Sequence, residues 1–357
     1  MMHYSRSALA AFCAEALQAA RVGREDAETV ARVLTSADER GVSSHGCVRM
    51  EGYVECLLSG GIRPDAVCRF VAEGPSSALL DAGQGLGIPV SVRAAELAIE
   101  KAKQTGVGVV NVRGSHHHGA CGYYSLMCAR QGLLGLAMST GDTIMAATGS
   151  ASRCIGNNPF SYAVPAGKYG NICYDVAMST VAAGKISMAG DEGRSIPLGW
   201  LLDAAGNPTT DPADYERGGP LVPFGGYKGY GLSMMVESLA GILSGAALLK
   251  DIHAWNKDPT HGGNVGHCFI ALDPRILNPG FSVPARAEQM IEELSAAPKA
   301  PGAERICFPG QIEQEREAAS RKAGICLPPA AEHALERVSA MVPVAFVPDA
   351  MRFEFEK

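Results

Sequence analysis

Near Ala78 the chain changes its hydrophobic period, and that switch limits the folds open to it. Before this point the sequence reads as helices: SALAAFCAEALQAARVG, starting near Ser7, then DAETVARVLTSADERG, then MEGYVECLLSGG. Asp26 is placed to cap the second helix and Gly41 to end it. The third is expected to begin near Ser44 or Gly46. Beyond Ala78 come short β-prone runs, ALLDAG, GVGVVNVRG, GLLGLAMST, FSYAVPAG and NICYDVAM, with the helix-like SVRAAELAIEKAKQTG after the first. Such alternation predicts an α/β domain.

The turn LLDAGQGLGIP tests which α/β fold this is. A dinucleotide-binding βαβ turn needs a third glycine three positions after the second and an acid about twenty residues later. Here Gly83 and Gly85 are followed by Ile88, and the next strand carries Asn111 without an acid. The segment therefore reads as a tight turn between elements, and any nicotinamide cofactor has to be held by another fold.

Polar chemistry concentrates in two places. Val110–Tyr123, VNVRGSHHHGACGY, ends an apolar run in a serine and three histidines among glycines. Side chains at a strand end are anchored by the sheet yet face a cleft, and imidazole titrates near neutrality. ERGVSSHGCVRMEGY places Arg49 and Tyr53 four residues apart on one helical face with His45 at its mouth. A guanidinium fork matches two carboxylate oxygens, so this set suits a carboxylate. Alone, it reads more readily as a solvated face.

Composition narrows the function classes. A net charge of −6 without any basic block argues against nucleic acid or an anionic membrane as partner. No stretch reaches the ~18 apolar residues that span a bilayer, and Glu15 interrupts any signal-peptide core. Eleven scattered cysteines without a CxxC pair are expected to be reduced thiols, which points to a cytoplasmic protein.

RGVSSHGCVRMEGY, GSHHHGACGYYS, IGNNPFSYAVP, YDVAMSTVAAGKI, DAAGNPTTDP, YKGYGLSMMVESLAGILSGA, HGGNVGHCFIALDP and ICFPGQIEQER occur in order from Arg40 to Arg316. Together they resemble the malate/L-lactate dehydrogenase-like family of NAD(P)-dependent oxidoreductases, with the nearest local echo in ureidoglycolate dehydrogenase. The resemblance implies a non-Rossmann cofactor domain with a largely antiparallel mixed sheet, plus a helical domain built from both chain ends. The expected boundaries are 1–74 for the N-terminal helical part, 75–300 for the NAD(P)-binding domain and 301–357 for the return segment and C-terminal helices. A homodimer is implied as well.

The same resemblance assigns the catalytic acid/base role to His117, with His116 at a variable position and His118 where an aromatic is usual. It places Ser44, His45, Arg49 and Tyr53 on the substrate side, with Arg49 as carboxylate clamp. Cofactor contacts are implied at Gly141, Asp142, Asp175, Val176, Ala177, Lys228, Pro309, Gly310 and Gln311. The family often has glutamate where Gln311 stands; NAD is mildly preferred over NADP. Asp175 also reads as a cap for the helix-like STVAAGKIS.

The implied reaction is hydride transfer at C2 of a small 2-hydroxy or 2-oxo carboxylic acid of malate, lactate or ureidoglycolate type. Reduction of a cyclic imino acid such as piperideine-2-carboxylate is the alternative. More remote is a zinc hydrolase: on a strand His116 and His118 share a face, and His45 or Asp142 would complete the ligands. A binding protein that has lost activity is remoter still, because Ser44, His45, Arg49, Tyr53, His117 and Lys228 are all retained.

Remaining segments read as architecture. GLSMMVESLAGILSGAALL is expected to be a buried helix whose methionines fill the core, with Gly241 and Gly245 allowing close packing. Asp203 and Gly206 form a turn, LSAAPKAPGAER marks a boundary, and EQEREAASRKAG and AEHALERVSAMVP are helices. The end, MRFEFEK, is expected to fray.

Overall fold

In the computed structural model, residues 2–353 are described. Helices α1 (Arg6–Ala19), α2 (Arg24–Glu39) and α3 (Met50–Ser59) open the chain. A sheet follows: β1 (Arg69–Glu73), β2 (Ser77–Asp81), β3 (Val107–Ser115), β4 (Leu134–Ser139), β5 (Phe160–Pro165), β6 (Asn171–Val176) and β7 (Val265–Leu272). Its seven strands lie in the order β1-β2-β3-β7-β4-β5-β6. Only β2 and β3 pair in parallel. A parallel pair needs a crossover, and α4 (Gly87–Thr105) supplies it. This is the largely antiparallel, non-Rossmann sheet expected from the sequence.

Gly87 explains the glycine-rich turn that failed as a nucleotide fingerprint. A Cβ at this position would lie 2.0 Å from the His116 carbonyl oxygen and 2.6 Å from that of His117. The missing side chain lets α4 begin directly against the histidine segment, so the turn serves the site by packing.

Helices α5 (Cys121–Ala129), α6 (Ala183–Asp191), α7 (Tyr227–Val236), α8 (Val283–Ser295), α9 (Gln311–Ala323) and α10 (Pro329–Met341) complete the main framework. The two chain ends meet: His3–Tyr4 pairs antiparallel with Ile325–Cys326, and Arg337 of α10 forms an ion pair with Glu51 of α3. Leu9, Phe12, Leu34 and Val54 share one core with Leu335 and Val338. Burial of such side chains, ~1.5–3 kcal/mol each, binds the helical layer from both ends. Among the described residues, no helix is long and apolar enough to cross a membrane. The terminal MRFEFEK lies partly outside the described residues.

Four expectations need correction. Gly23, not Asp26, precedes α2; Asp26 sits in its first turn, where Arg93 of α4 holds it at 2.6 Å. α3 begins at Met50, later than expected, after tight turns at Ser43–His45 and Cys47–Arg49. The cause is the buried Asp38 carboxylate, which accepts from Cys47 N–H at 2.7 Å and would stand 2.1 Å from a Cβ on Gly46. Asp175 does not cap α6; it accepts from Gly122 N–H at 2.7 Å, at the start of α5.

The fourth is the helix expected to be buried. α7 continues into a π-helical stretch, Glu237–Ile242; along the two together Ser233, Val236 and Ala240 are buried, while Met234, Ile242 and the following Leu243 are exposed. Met234 does not fill the core. Alternating apolar residues on every face gave no sign that only one side is covered within the chain. Gly241 does pack closely, since a Cβ there would meet Leu248 at 2.6 Å.

Candidate active site

Strand register brings the expected site residues to one end of the sheet. Ser115 at the end of β3 pairs with Val265, His267 with Ser139 at the end of β4, Met138 with Phe160, and Phe160 with Val176 at the end of β6. His116–His118, Thr140–Asp142 and Val176–Ala177 therefore leave the sheet on the same side. An antiparallel order converts distant sequence positions into neighbours here.

The three histidines part company once β3 ends at Ser115, so strand alternation no longer governs them. His116 is buried with its ring edge-on to Trp255. His118 is buried, stacks on His267 at 4.3 Å, and meets Ser91 at 3.3 Å and Cys121 at 3.3 Å. The shared metal-binding face considered for His116 and His118 does not form: among the described residues, the grouping with metal-ligand spacing is His253, Asp258 and His261.

His117 alone of the three keeps part of its surface open. Its Nδ1 lies 2.7 Å from the Tyr53 hydroxyl and 3.4 Å from Gly119 N. The His45 ring stacks beside it at 5.5 Å, and Trp255 lies 5.3 Å away. Burial, with the nearby Arg49 charge second, holds the His117 pKa well below 6.5. Burial and Arg49 likewise push His45 down to about 3. Both rings are neutral near pH 7.

Arg49 sits at the entrance of α3. Its Nε donates to the Ser44 carbonyl at 2.6 Å, and its guanidinium lies 5.9 Å from the centre of the Trp255 ring. Ser44 Oγ meets His45 Nδ1 at 2.9 Å. Burial raises the Tyr53 phenol well above its usual range, so Tyr53 stays protonated. Ser44, His45, Arg49, Tyr53 and His117 thus form one contiguous cluster.

The expected cofactor residues are only partly assembled. Asp175, Pro309 and Gly310 line a cleft of about 410 Å³ between α2, α5 and β6. Gly310 has φ +89°, and a Cβ there would sit 2.8 to 3.0 Å from Cys173 backbone and side-chain atoms. Gly122, also on the cleft, would bring a Cβ 2.9 Å from Asp175 Oδ2. These glycines let backbone line the cleft, which suits a flat, extended ligand. Gln311 is turned away: its side chain donates to Glu315 at 3.0 Å. Gly141 N donates to Asn158 at 3.0 Å, Asp142 is partly buried with its pKa raised by burial, and Lys228 is exposed in the first turn of α7. Gly141, Asp142 and Lys228 do not border this cleft.

Sequence reasoning missed Trp255, His267, Arg40 and Arg130. Trp255 is one of two tryptophans in the chain and sits in a polar loop, a signal that was there to find. His267 lies between Ser115 at 2.8 Å and Ser139 at 2.9 Å, which only the pairing of β3, β7 and β4 brings about. Arg40 and Arg130 face the cleft from α2's end and α5's end.

The fold is that of an α/β dehydrogenase outside the Rossmann class, with this cluster at one end of its sheet. The family model described as malate/L-lactate dehydrogenase matches residues 4–336. A malate dehydrogenase of Pyrococcus horikoshii is 40% identical over 85% of each chain. Its compatriot in sequence space, a ureidoglycolate dehydrogenase (NAD(+)) of Escherichia coli O157:H7, is 35% identical over 89% of this chain and 91% of the relative. Among solved structures, malate dehydrogenase from P. horikoshii OT3 superposes with a TM-score of 0.88 at 35% identity, covering 97% of both chains. The chain belongs to the malate/L-lactate dehydrogenase family. It is an NAD(P)-dependent oxidoreductase that transfers hydride to or from a small 2-hydroxy or 2-oxo carboxylic acid.

Proposed function

We propose that His117 is the acid/base of this reaction, with Arg49 clamping the substrate carboxylate and Ser44, His45 and Tyr53 completing the substrate pocket. The observation that carries this reading is the Tyr53–His117 hydrogen bond beside the Arg49 guanidinium. It fixes Nδ1 and leaves Nε2 as the ring nitrogen for the substrate oxygen. In the tautomer that serves oxidation, Nδ1–H donates to the Tyr53 oxygen, the long Gly119 N–H contact at 3.4 Å is given up, and Nε2 offers the lone pair that takes the hydroxyl proton of a 2-hydroxy acid. In reduction the protonated Nε2 returns it to the carbonyl oxygen. A phenol both donates and accepts, so Tyr53 follows either state of the ring.

Arg49 spends Nε on Ser44 and keeps its terminal nitrogens for a carboxylate. Pairing them with the substrate also removes the positive charge that depresses His117, which makes proton uptake easier once substrate is bound. Bound nicotinamide nucleotide supplies the hydride acceptor or donor. Asp175, Pro309 and Gly310 would hold part of it along the cleft, with Arg40 and Arg130 near its phosphates. Gly141, Asp142, Val176, Ala177, Lys228 and Gln311 remain proposed contacts. Asp175 and Glu313 on the same wall disfavour an added 2′-phosphate, which supports NAD over NADP.

A second copy of the chain covers the exposed Met234, Ile242 and Leu243 in this reading, giving a homodimer. The substrate test is NADH and NADPH oxidation against pyruvate, oxaloacetate, oxalurate and piperideine-2-carboxylate. Turnover of a 2-oxo acid is the expected result. Activity confined to the cyclic imine assigns the chain to imino acid reduction, and turnover that depends on zinc ligated by His116 and His118 refutes the mechanism.

A further inference from the structure

The loop after α7 carries a group of side chains that hydride transfer does not use. His253, Asp258 and His261 each direct one potential ligand atom into a common point, all within 4.8 Å of one another. His253 Nε2 lies 3.3 Å from Asp258 Oδ2, and His261 Nδ1 lies 2.8 Å from the same oxygen. The two imidazole ring centres lie 5.1 Å apart, with the planes tilted by 47°.

Two details separate this group from an ordinary surface ion pair. Asp258 Oδ1 is occupied by Thr260, through its N–H at 2.9 Å and its hydroxyl at 2.6 Å, which leaves Oδ2 turned toward both histidines. His253 Nε2 is buried and makes no well-aligned hydrogen bond. A nitrogen shielded from water and met only by the poorly aligned Asp258 oxygen is undersatisfied, and ligation completes it. Tetrahedral zinc with Zn–N and Zn–O near ~2.0–2.1 Å sets its ligand atoms about 3.3 Å apart, so small side-chain movements convert the group into three ligands of such a site.

We propose that His253, Asp258 and His261 bind one divalent transition-metal ion of the zinc class, which braces the loop carrying Trp255 beside the His117 cluster. Two histidines and one carboxylate suit zinc, cobalt or nickel better than the oxygen-seeking magnesium or calcium. The remaining position goes to water, the arm of a three-ligand protein site. The loop has much to hold in place: Trp255 packs on Tyr53 at 5.7 Å, on His117 at 5.3 Å and beneath Arg49. Pro259, between two of the ligands, accepts from Gly61 N–H at 3.1 Å just after α3. A metal joining residues 253, 258 and 261 closes a short ring in that loop, and restraint of the loop reaches the pocket through Trp255. This reading rests on the loop geometry and holds whatever the substrate.

The test uses full-length enzyme freed of metal by chelator and dialysed. Calorimetric titration with Zn²⁺ is expected to show one saturable equivalent bound. Removing a ligand in His261→Ala or His253→Ala is expected to weaken binding at least ~10–100-fold, the range seen when even an outer-shell partner is lost. His261 is exposed, so His261→Ala keeps its packing, and its unchanged metal-free melting curve checks this. Co²⁺ in place of Zn²⁺ gives visible absorption without a thiolate charge-transfer band, which separates this site from the cysteines. Because the chain has two tryptophans, Trp200→Phe leaves Trp255 as the sole indole. Zn²⁺ is expected to change its emission, and not in Trp200→Phe/His261→Ala. No saturable binding, equal affinity in both histidine variants, a thiolate band, or binding that leaves Trp255 emission unchanged overturns the proposal.

Discussion

Lowering the pH from 7 to 5 is expected to remove a large part of this protein's stability through three buried histidines. His116, His118 and His267 are 2%, 2% and 0% exposed. Burial pushes His116 and His267 down to about 3 and His118 well below 6.5. A lowered histidine pKa means that the unfolded chain takes up protons below 6.5 while the native chain does not. Stability is therefore complete above that pH and lost as pH falls, until the folded pKa is reached. Between pH 7 and 5 the linkage integral is about 2 kcal/mol per histidine, or about 6 kcal/mol for the three.

Buried carboxylates oppose this. Asp38, 4% exposed, is raised by burial to about 6, so the native chain gains its proton first and recovers about 1 kcal/mol by pH 5. Glu237, raised for the same reason, acts in the same direction. With Asp38 counted the net loss is about 5 kcal/mol, which Glu237 lowers further, a substantial share of the ~5–15 kcal/mol of a typical domain. Urea midpoints at pH 7, 6 and 5, at fixed protein concentration, measure it. His267→Gln, which retains groups to bond Ser115 and Ser139 without titrating, is expected to shrink the pH dependence by about 2 kcal/mol. Urea midpoints that stay flat from pH 7 to 5, or a slope unchanged in His267→Gln, would refute the reasoning.

Three further outcomes bear on the site. Arg49→Lys keeps the charge but loses the fork and the brace to Ser44; kcat/KM for a 2-oxo acid is expected to fall about 10- to 100-fold, the worth of one charge-assisted hydrogen bond, with NADH Kd unchanged in a fluorescence titration. His117→Ala is expected to lower kcat/KM by about two to four orders of magnitude, whereas His118→Phe, which keeps a ring stacked on His267, retains most turnover in the same assay. A reversal of those two results would shift the acid/base role by one residue. Gly310→Ala forces a side chain into φ +89° against Cys173; about 1–2 kcal/mol of strain is expected to weaken NADH binding roughly tenfold while leaving substrate discrimination intact.

Much of the site was legible because its parts are local in sequence. Arg49 and Tyr53 are one helical turn apart, and Tyr53, His117 and Arg49 do gather where the motifs suggested. Gln311 has a residue type compatible with ribose, but the sequence does not show that it opens helix α9 with its side chain donating to Glu315. The histidine run shows the limit most sharply. Its composition allowed acid/base or metal chemistry, and adjacent identical residues carry nothing to rank them beyond the family pattern.

The sequence by itself determined the α/β class with helices at both ends, through the hydrophobic period, and excluded a Rossmann turn, through one missing glycine. Those properties depend on residues near one another along the chain, where backbone geometry sets the pattern. Only the tertiary structure decided that His116 and His118 are buried while His117 keeps part of its surface open, that Asp175 accepts from Gly122 at the start of α5, and that one face of α7 is left open. It also decided that His253, Asp258 and His261 meet beside Trp255. Each of these follows from which strands pair and which surfaces they cover, and a strand's partner is chosen by long-range packing that no local period encodes.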